Sequence, residues 1–176
     1  MLRSLRPAIG VSLIFLVLLG LAYPLAETGI AQSLFSHQAN GSLSANGSTL
    51  VGQSWKGPRW FQGRPDEDDP MATGGSNLGP RSEVLVKDVR KQITALEAEG
   101  ITPTPDLVTT SGSGVDPDIA PVDAYAQVSA VGKARGVSAA VLRHLIAAHI
   151  QPPQLGFLGT SYINVLQLNQ ALSRLS

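Results

Sequence analysis

From Pro7 to Ala26 the chain runs for 20 residues without an Asp, Glu, Lys, Arg or His. An α-helix rises 1.5 Å per residue, so about 20 apolar residues cross the roughly 30 Å hydrocarbon core of a bilayer. Arg3 and Arg6 precede the run, Glu27 follows it, and the next Lys or Arg is Lys56. That asymmetry predicts a cytoplasmic N-terminus at 1–6, a transmembrane helix at 7–26 and an extracytoplasmic remainder. A cleavable leader is the competing reading, because Ile9 to Leu19 fits a short apolar core and Gly20-Leu21-Ala22 offers small residues to a peptidase. Both readings export the rest of the chain. Gly10 and Gly20 interrupt the run, but glycine is common in membrane helices, and a plain anchor is the simpler expectation.

The remainder is long enough for one ordinary core. With 13 Lys+Arg against 13 Asp+Glu, a net charge of zero and 43% hydrophobic residues, the chain lacks the basic field that nucleic acid requires and the polarity of a disordered tail. The chain contains no Cys, which excludes disulfides, thiol catalysis and Cys-ligated zinc. Residues 27–48 form a Ser/Asn/Gly-rich connection, and the Ser, Asn and Gly from Gln32 to Gln53 predict turns before a strand-like Thr49-Leu50-Val51. Asn40-Gly41-Ser42 and Asn46-Gly47-Ser48 are formal glycosylation acceptors that read better as turns. A soluble domain occupies 49–176. Trp55, Trp60 and Phe61 cluster around Gly57-Pro58, and the Gly- and Pro-rich stretch from Gly63 to Pro80 is too long for an idle connection.

Helices dominate the second half. Ser82 caps one with Val86, Val89, Ile93 and Leu96 on one face and Gly100 past its end. Pro121 opens a helix through Ala124, Tyr125, Val128 and Val131 that Gly136 stops, and Ser138 caps another through Val141, Leu142, Leu145 and Ile146. Asn164 and Gln167 make a capping-box pattern for a last helix along Val165, Leu168, Leu172 and Leu175. Asp106-Leu107-Val108-Thr109-Thr110 is strand-like. The predicted class is α+β (mixed α/β), an extracytoplasmic domain behind one N-terminal transmembrane α-helix.

Catalytic signatures are scarce. Neither Gly74-Gly75-Ser76-Asn77-Leu78-Gly79-Pro80 nor Ser111-Gly112-Ser113-Gly114 is followed by the Lys of a phosphate-binding loop, and neither frames Ser76 or Ser113 as a nucleophile elbow. His144 and His149 are five residues apart, about 140° around a helix at ~100° per residue, so they do not form a metal pair. The carboxylate run Asp66-Glu67-Asp68-Asp69 lacks the glycine and bidentate Glu of a calcium loop and reads as a solvated charge run. Asp116 and Asp118 around Pro117 are the one pair available for acid/base work, although Asp before Pro more often makes a turn. No catalytic residue and no metal ligand is predicted.

In order behind one span come Gly63-Arg64-Pro65, Gly74 to Pro80, Asp106-Leu107-Val108-Thr109 with Ser111-Gly112-Ser113-Gly114 and Asp116-Pro117, and Asn164-Val165-Leu166 with Leu168-Asn169. Together they closely resemble the KdpC family, one of the four kinds of subunit in the Kdp potassium-transporting P-type ATPase. The resemblance runs nearly end to end and favours a retained anchor. It implies an accessory, non-catalytic subunit of an inner-membrane pump, with the Kdp A, B and F subunits and membrane lipid as partners. It further implies a catalytic-chaperone role that raises the ATP affinity of the hydrolysing B subunit, no cofactor being bound directly. The quoted loops are then interface or functional-loop candidates. The sequence departs from the family pattern at Ile150 and Gln151, at Thr160, Ser161 and Tyr162, and at Gln167, where charges are lost. An anchored extracytoplasmic hydrolase using Asp116 and Asp118 is the alternative.

Overall fold

The structure, a computed structural model, describes residues 2–66, 71 and 73–175. It divides into two compact units, Met1–Leu43 and Ser44–Ser176. The first is helical. Helix α1 (Leu2–Val17) leads through a π-helical turn (Leu18–Ala22) into α2 (Tyr23–Leu34), and a single turn, α3 (Ser36–Ala39), follows. The wide turn has a local cause: Pro24 has no N–H for the carbonyl of Gly20, and the Tyr23 N–H reaches back to Leu18 instead. The helical run from Leu5 to Leu34 contains an 18-residue window with a mean hydropathy of 2.3 and no buried residue, long and apolar enough to cross a membrane. The turns expected from Gln32 onward therefore start later. Helix α2 continues through Gln32 and Ser33, and the Asn40 side chain pairs with that of Gln32 at 3.1 and 3.2 Å.

The second unit is helical with very short strands. Strand β1 (Leu43–Ser44) pairs with β2 (Gly47–Ser48) around Ala45-Asn46, so Asn46 sits in a turn as expected, whereas Thr49-Leu50-Val51 is turn and bend rather than strand. The predicted helix after Ser82 is α4 (Glu83–Ala98). The Ser82 hydroxyl accepts from the Leu85 N–H, and Gly100, at φ +76°, closes the end by letting Ile101 N–H bond the Leu96 carbonyl at 2.9 Å. Of its expected apolar stripe only Leu96 is fully buried; Val89 and Ile93 are half-buried and Val86 is exposed. The helix packs by its C-terminal end, where Leu96 joins Ile101, Leu107 and Ala130 in a small second core.

Asp106-Leu107-Val108 is not a strand. It belongs to α5 (Pro105–Val108), a turn that Pro105 opens and that the Thr109 hydroxyl ties to the Pro105 carbonyl at 2.7 Å. Strand β3 (Asp118–Ile119) pairs antiparallel with β4 (Ile163–Asn164), Asp118 opposite Asn164 and Ile119 opposite Ile163. The helix expected from Pro121 to Gly136 is two, α6 (Pro121–Ala126) and α7 (Val128–Arg135), separated at Gln127. Gly136 ends α7 in the left-handed region at φ +70°. Helix α8 (Ala139–His149) is capped by Ser138, and α9 (Val165–Ser173) by Asn164, whose side-chain oxygen accepts from the Gln167 N–H. Helix α9 stops short of Leu175, which is exposed.

Helix α8 packs against α6, α7 and α9. The main core joins Val131, Leu142, Ile146, Leu168 and Leu172 from these helices to Ile119 and Ile163 of the small sheet, with Phe61 fully buried among them. Phe61 comes from a segment with no strand partner. Two buried side-chain amides supply what a neighbouring strand would. The Asn169 carboxamide accepts from Phe61 N–H at 2.9 Å and donates to Phe61 C=O at 2.8 Å. Gln127 does the same for Gln62, at 2.7 and 3.0 Å. Beside them Arg135 donates to Arg59 C=O at 2.7 Å and lies 4.4 Å over the Trp60 ring, which tilts against Trp55 at 4.9 Å.

Because an unmade buried hydrogen bond costs about 1–3 kcal/mol, Asn169→Ala, which strands both polar groups of Phe61, should lower the unfolding free energy by about 2–5 kcal/mol. Gln167→Ala on the exposed face of the same helix should stay within about 0.5 kcal/mol. Denaturant titration of the two variants checks this; equal effects would refute the role assigned to the amide.

Candidate functional site

The residues singled out in the sequence fall into two groups, and one forms a compact polar junction in the second unit. From Gln62 to Asp66 the chain is in neither helix nor strand, and the Arg64 and Asp66 side chains both reach Asp116. Asp66 organises the Ser111 loop. Its carboxylate accepts from the Ser111 N–H at 2.6 Å, the Ser111 hydroxyl at 2.7 Å and the Asp116 N–H at 3.0 Å. Arg64 donates to Asp106 at 2.7 Å and to the Thr109 carbonyl at 3.4 Å, and its Nε lies 3.5 Å from the Asp116 carboxylate. Asp66 was expected to belong to a solvated charge run, and here the structure corrects the sequence. Its partners are N–H groups 45 and 50 residues away. Glu67, Asp68 and Asp69 lie outside the described residues.

The glycines of the two loops meet backbone to backbone. Gly74 N–H donates to the Ser113 carbonyl at 2.7 Å. A Cβ on Gly75 would stand 2.9 Å from the Gly112 oxygen, and one on Gly114, at φ +72°, 2.5 Å from the Gly74 oxygen. Gly114 is thus required twice, by its torsion and by the approach. The Ser111 hydroxyl accepts from Gly114 N–H at 2.9 Å, closing the loop on itself. Ser76, Asn77, Gly79 and Pro80 are exposed, and Leu78 is half-buried. Gly63 packs beside Val165, and Pro65 is half-buried between Arg64 and Asp66.

Asp116 and Asp118 are also engaged. Asp116 Oδ1 accepts from the Asp118 N–H at 3.1 Å, an Asx turn over Pro117, and the Pro117 carbonyl takes the Val165 N–H at 3.0 Å. Asp118 Oδ1 accepts from the Asn164 amide at 2.9 Å, and that amide also donates to the Thr49 carbonyl at 2.9 Å. Burial pushes the Asp118 carboxyl up; the Asn164 hydrogen bond opposes this and the Asp116 charge adds to it. Asp123, whose carboxylate accepts from the Ala120 N–H at 2.8 Å, is raised first by burial as well. Asn169 stands apart from this junction in the core, against Phe61. The histidines are elsewhere, His144 exposed and His149 bonded through Nδ1 to the Leu145 carbonyl at 2.8 Å.

A cleft of about 530 Å³ opens beside the junction, with Trp55, Gln62, Arg64, Asp66, Glu99 and Asp116 among its lining residues. Its charged groups are largely paired within the chain, Gln62 donating to Glu99 and Arg64 and Asp66 held as above. The second group of singled-out residues, around the family departures, forms a hairpin whose rungs at Gln151 and Tyr162 are backbone bonds of 2.8 and 3.1 Å. The changes at Gln151 and Tyr162 therefore leave its hydrogen bonds intact. Gln127 was missed in the sequence, although it lies three residues from Ala124 and four from Val131, on the apolar face, where a buried amide needs partners.

Among known proteins, the family described as "K+-transporting ATPase, c chain" (KdpC) matches residues 5–174. A Potassium-transporting ATPase KdpC subunit of Caulobacter vibrioides (strain NA1000 / CB15N) is 48% identical, covering 98% of this chain and 93% of its own. Those of Sorangium cellulosum (strain So ce56) and Geobacter sulfurreducens (strain ATCC 51573 / DSM 12127 / PCA) are 47% and 46% identical, over 98% and 99% of both chains respectively. These relatives are named as subunits of a potassium-transporting ATPase, and among the described residues this chain has one helix long and apolar enough to cross a membrane. The chain belongs to the KdpC family.

Two measurements follow. Gly114→Ala should cost at least about 1 kcal/mol of stability, since Ala is strained at positive φ, whereas Gly79→Ala, which opens into free space, should be neutral; denaturant unfolding compares them. The raised Asp118 contributes stability that is complete below the ordinary Asp value of about 3.9 and is lost as pH rises through its native value. Asp118→Asn should therefore flatten the fall in unfolding free energy between the ordinary and the native value, and parallel pH curves for the two chains would contradict it.

Proposed function

We propose that this chain assembles and stabilises a potassium-transporting ATPase from the extracytoplasmic side of the membrane, held there by its N-terminal helix as a single span. Its partners are the channel-like A subunit, the ATP-hydrolysing B subunit and the small F subunit. The observation that carries the reading is the internal use of the junction's polar groups: Arg64, Asp66, Ser111, Asp116, Asp118 and Asn164 hydrogen-bond the chain's own loops. A hydrolase needs a carboxylate able to turn toward substrate, and both Asp116 and Asp118 are held by fixed donors. The hydrolase alternative has no support in this geometry. The loops serve as a rigid scaffold.

Arg3 and Arg6 ahead of the span, with no Lys or Arg between it and Lys56, favour a cytoplasmic N-terminus. The second unit then lies across the membrane from ATP. As a catalytic chaperone the chain acts by linkage: binding one conformation of the B subunit more tightly than another shifts nucleotide affinity by that difference alone, and a tenfold effect requires about 1.4 kcal/mol.

Gentle solubilisation of membranes should recover this chain with a large P-type ATPase subunit, and recovery of the chain alone would refute the subunit reading. In sealed vesicles the C-terminus should resist protease added on the cytoplasmic face. Calorimetry of the purified full chain should give no saturable ATP binding at micromolar concentration; saturable binding lost on altering the Ser111 to Gly114 loop would overturn the indirect mechanism.

A further inference from the structure

The hairpin between α8 and β4 shows large apolar side chains to solvent. Leu155 is 82% exposed, Phe157 74% and Leu158 50%. The tip is nevertheless ordered. Phe157 N–H bonds the Gln154 carbonyl at 3.2 Å, and Gln154 and Leu158 exchange backbone bonds of 3.0 and 2.9 Å. Leu155 and Gly156 stand at φ +53° and +82°, the arrangement of a type I′ turn. The first central position of such a turn suits Asn or Gly, and a Leu there is strained. The fold thus holds an apolar residue in an unfavourable torsion at a place where, within this chain, it buries almost nothing. Strain of this kind persists where something else compensates it.

From Ile150 to Ser173 there is no Asp, Glu, Lys or Arg. Segments that dip into a bilayer surface combine apolar side chains with Lys or Arg for anionic headgroups, and this one supplies no cation. An uncharged, rigid, apolar tip instead matches the desolvated centre of a protein interface, where charge is depleted and aromatic anchors fill recesses. We infer that Leu155 and Phe157 form a plug that seats in an uncharged apolar recess on another subunit of the pump. This rests on the subunit reading above and adds the docking element to it. The glycine junction at Gly74 and Gly114 supports the scaffold from within, and the hairpin makes the contact.

The test uses the full chain in its native membranes. The Leu155→Ser/Phe157→Ser chain should keep its unfolding midpoint, since neither side chain is buried, while the other pump subunits recovered with it fall about tenfold or more. A photo-crosslinking amino acid replacing Phe157 in the otherwise unaltered chain should join it to one pump subunit. A crosslink to lipid only, or none to protein, would overturn the proposal whatever the recovery shows. Undiminished recovery with the double variant would overturn it while leaving the subunit reading intact. Wild-type chain recovered without partners would instead refute the subunit reading itself.

Discussion

The second unit depends on two amide side chains that take the place of a β-strand. Phe61 and Gln62 lie in a segment without a ladder, and four backbone groups would be left to a largely apolar interior. Asn169 and Gln127, both fully buried, satisfy all four. A primary amide presents a donor and an acceptor side by side at the spacing of one residue's N–H and C=O, so it clamps a peptide unit as an adjacent strand would. Seating Phe61 in the core fixes the start of the segment that carries Arg64 and Asp66. The positions of Arg64 and Asp66 follow from that.

From there the order passes outward. Asp66 gathers the N–H groups of Ser111 and Asp116, Arg64 bridges Asp106 and Asp116, and the glycines of the 74–75 and 112–114 stretches pack against each other where no side chain fits. Asn164 performs three tasks at once: it caps α9, holds Asp118 and bonds the Thr49 carbonyl. Such a network gains rigidity from each satisfied member, while the buried Arg64 Nε makes no hydrogen bond and lies 3.5 Å from the Asp116 carboxylate. The polar residues so prominent in the sequence bind the chain's own loops, as the proposed scaffold role requires.

Local chemistry was legible where it acts over a few residues. The Ser82, Ser138 and Asn164 caps, the stops at Gly100 and Gly136 and the apolar run at the N-terminus all appear where the pattern places them. Misreadings came where a local pattern was overruled. Asp106-Leu107-Val108-Thr109-Thr110 is strand-like in composition, but Pro105 pre-sets a helical torsion and the burial of Leu107 in the second core favours a turn. The helix through Val131 breaks at Gln127, whose N–H bonds the Ala124 carbonyl at 3.2 Å while its side-chain amide donates to the Asp123 carbonyl at 3.3 Å. Helix α2 outruns its apolar stretch, since Gln32 finds a partner in Asn40.

What the sequence by itself determined is the apolar N-terminal run, the helix ends and the absence of familiar nucleophile, phosphate-loop and metal-ligand patterns. Each depends on residues within about one to six turns of helix and needs no knowledge of the rest of the chain. Only the tertiary structure decided that Asp66 is a structural ligand of a distant loop, that Asn169 and Gln127 build a strand edge, and that the Leu155 tip stands free. The partners of Asp66 and of the two amides lie 45 to 108 residues away. A hydrogen bond over that distance leaves no periodicity in the sequence, because its geometry exists only once the intervening chain has packed.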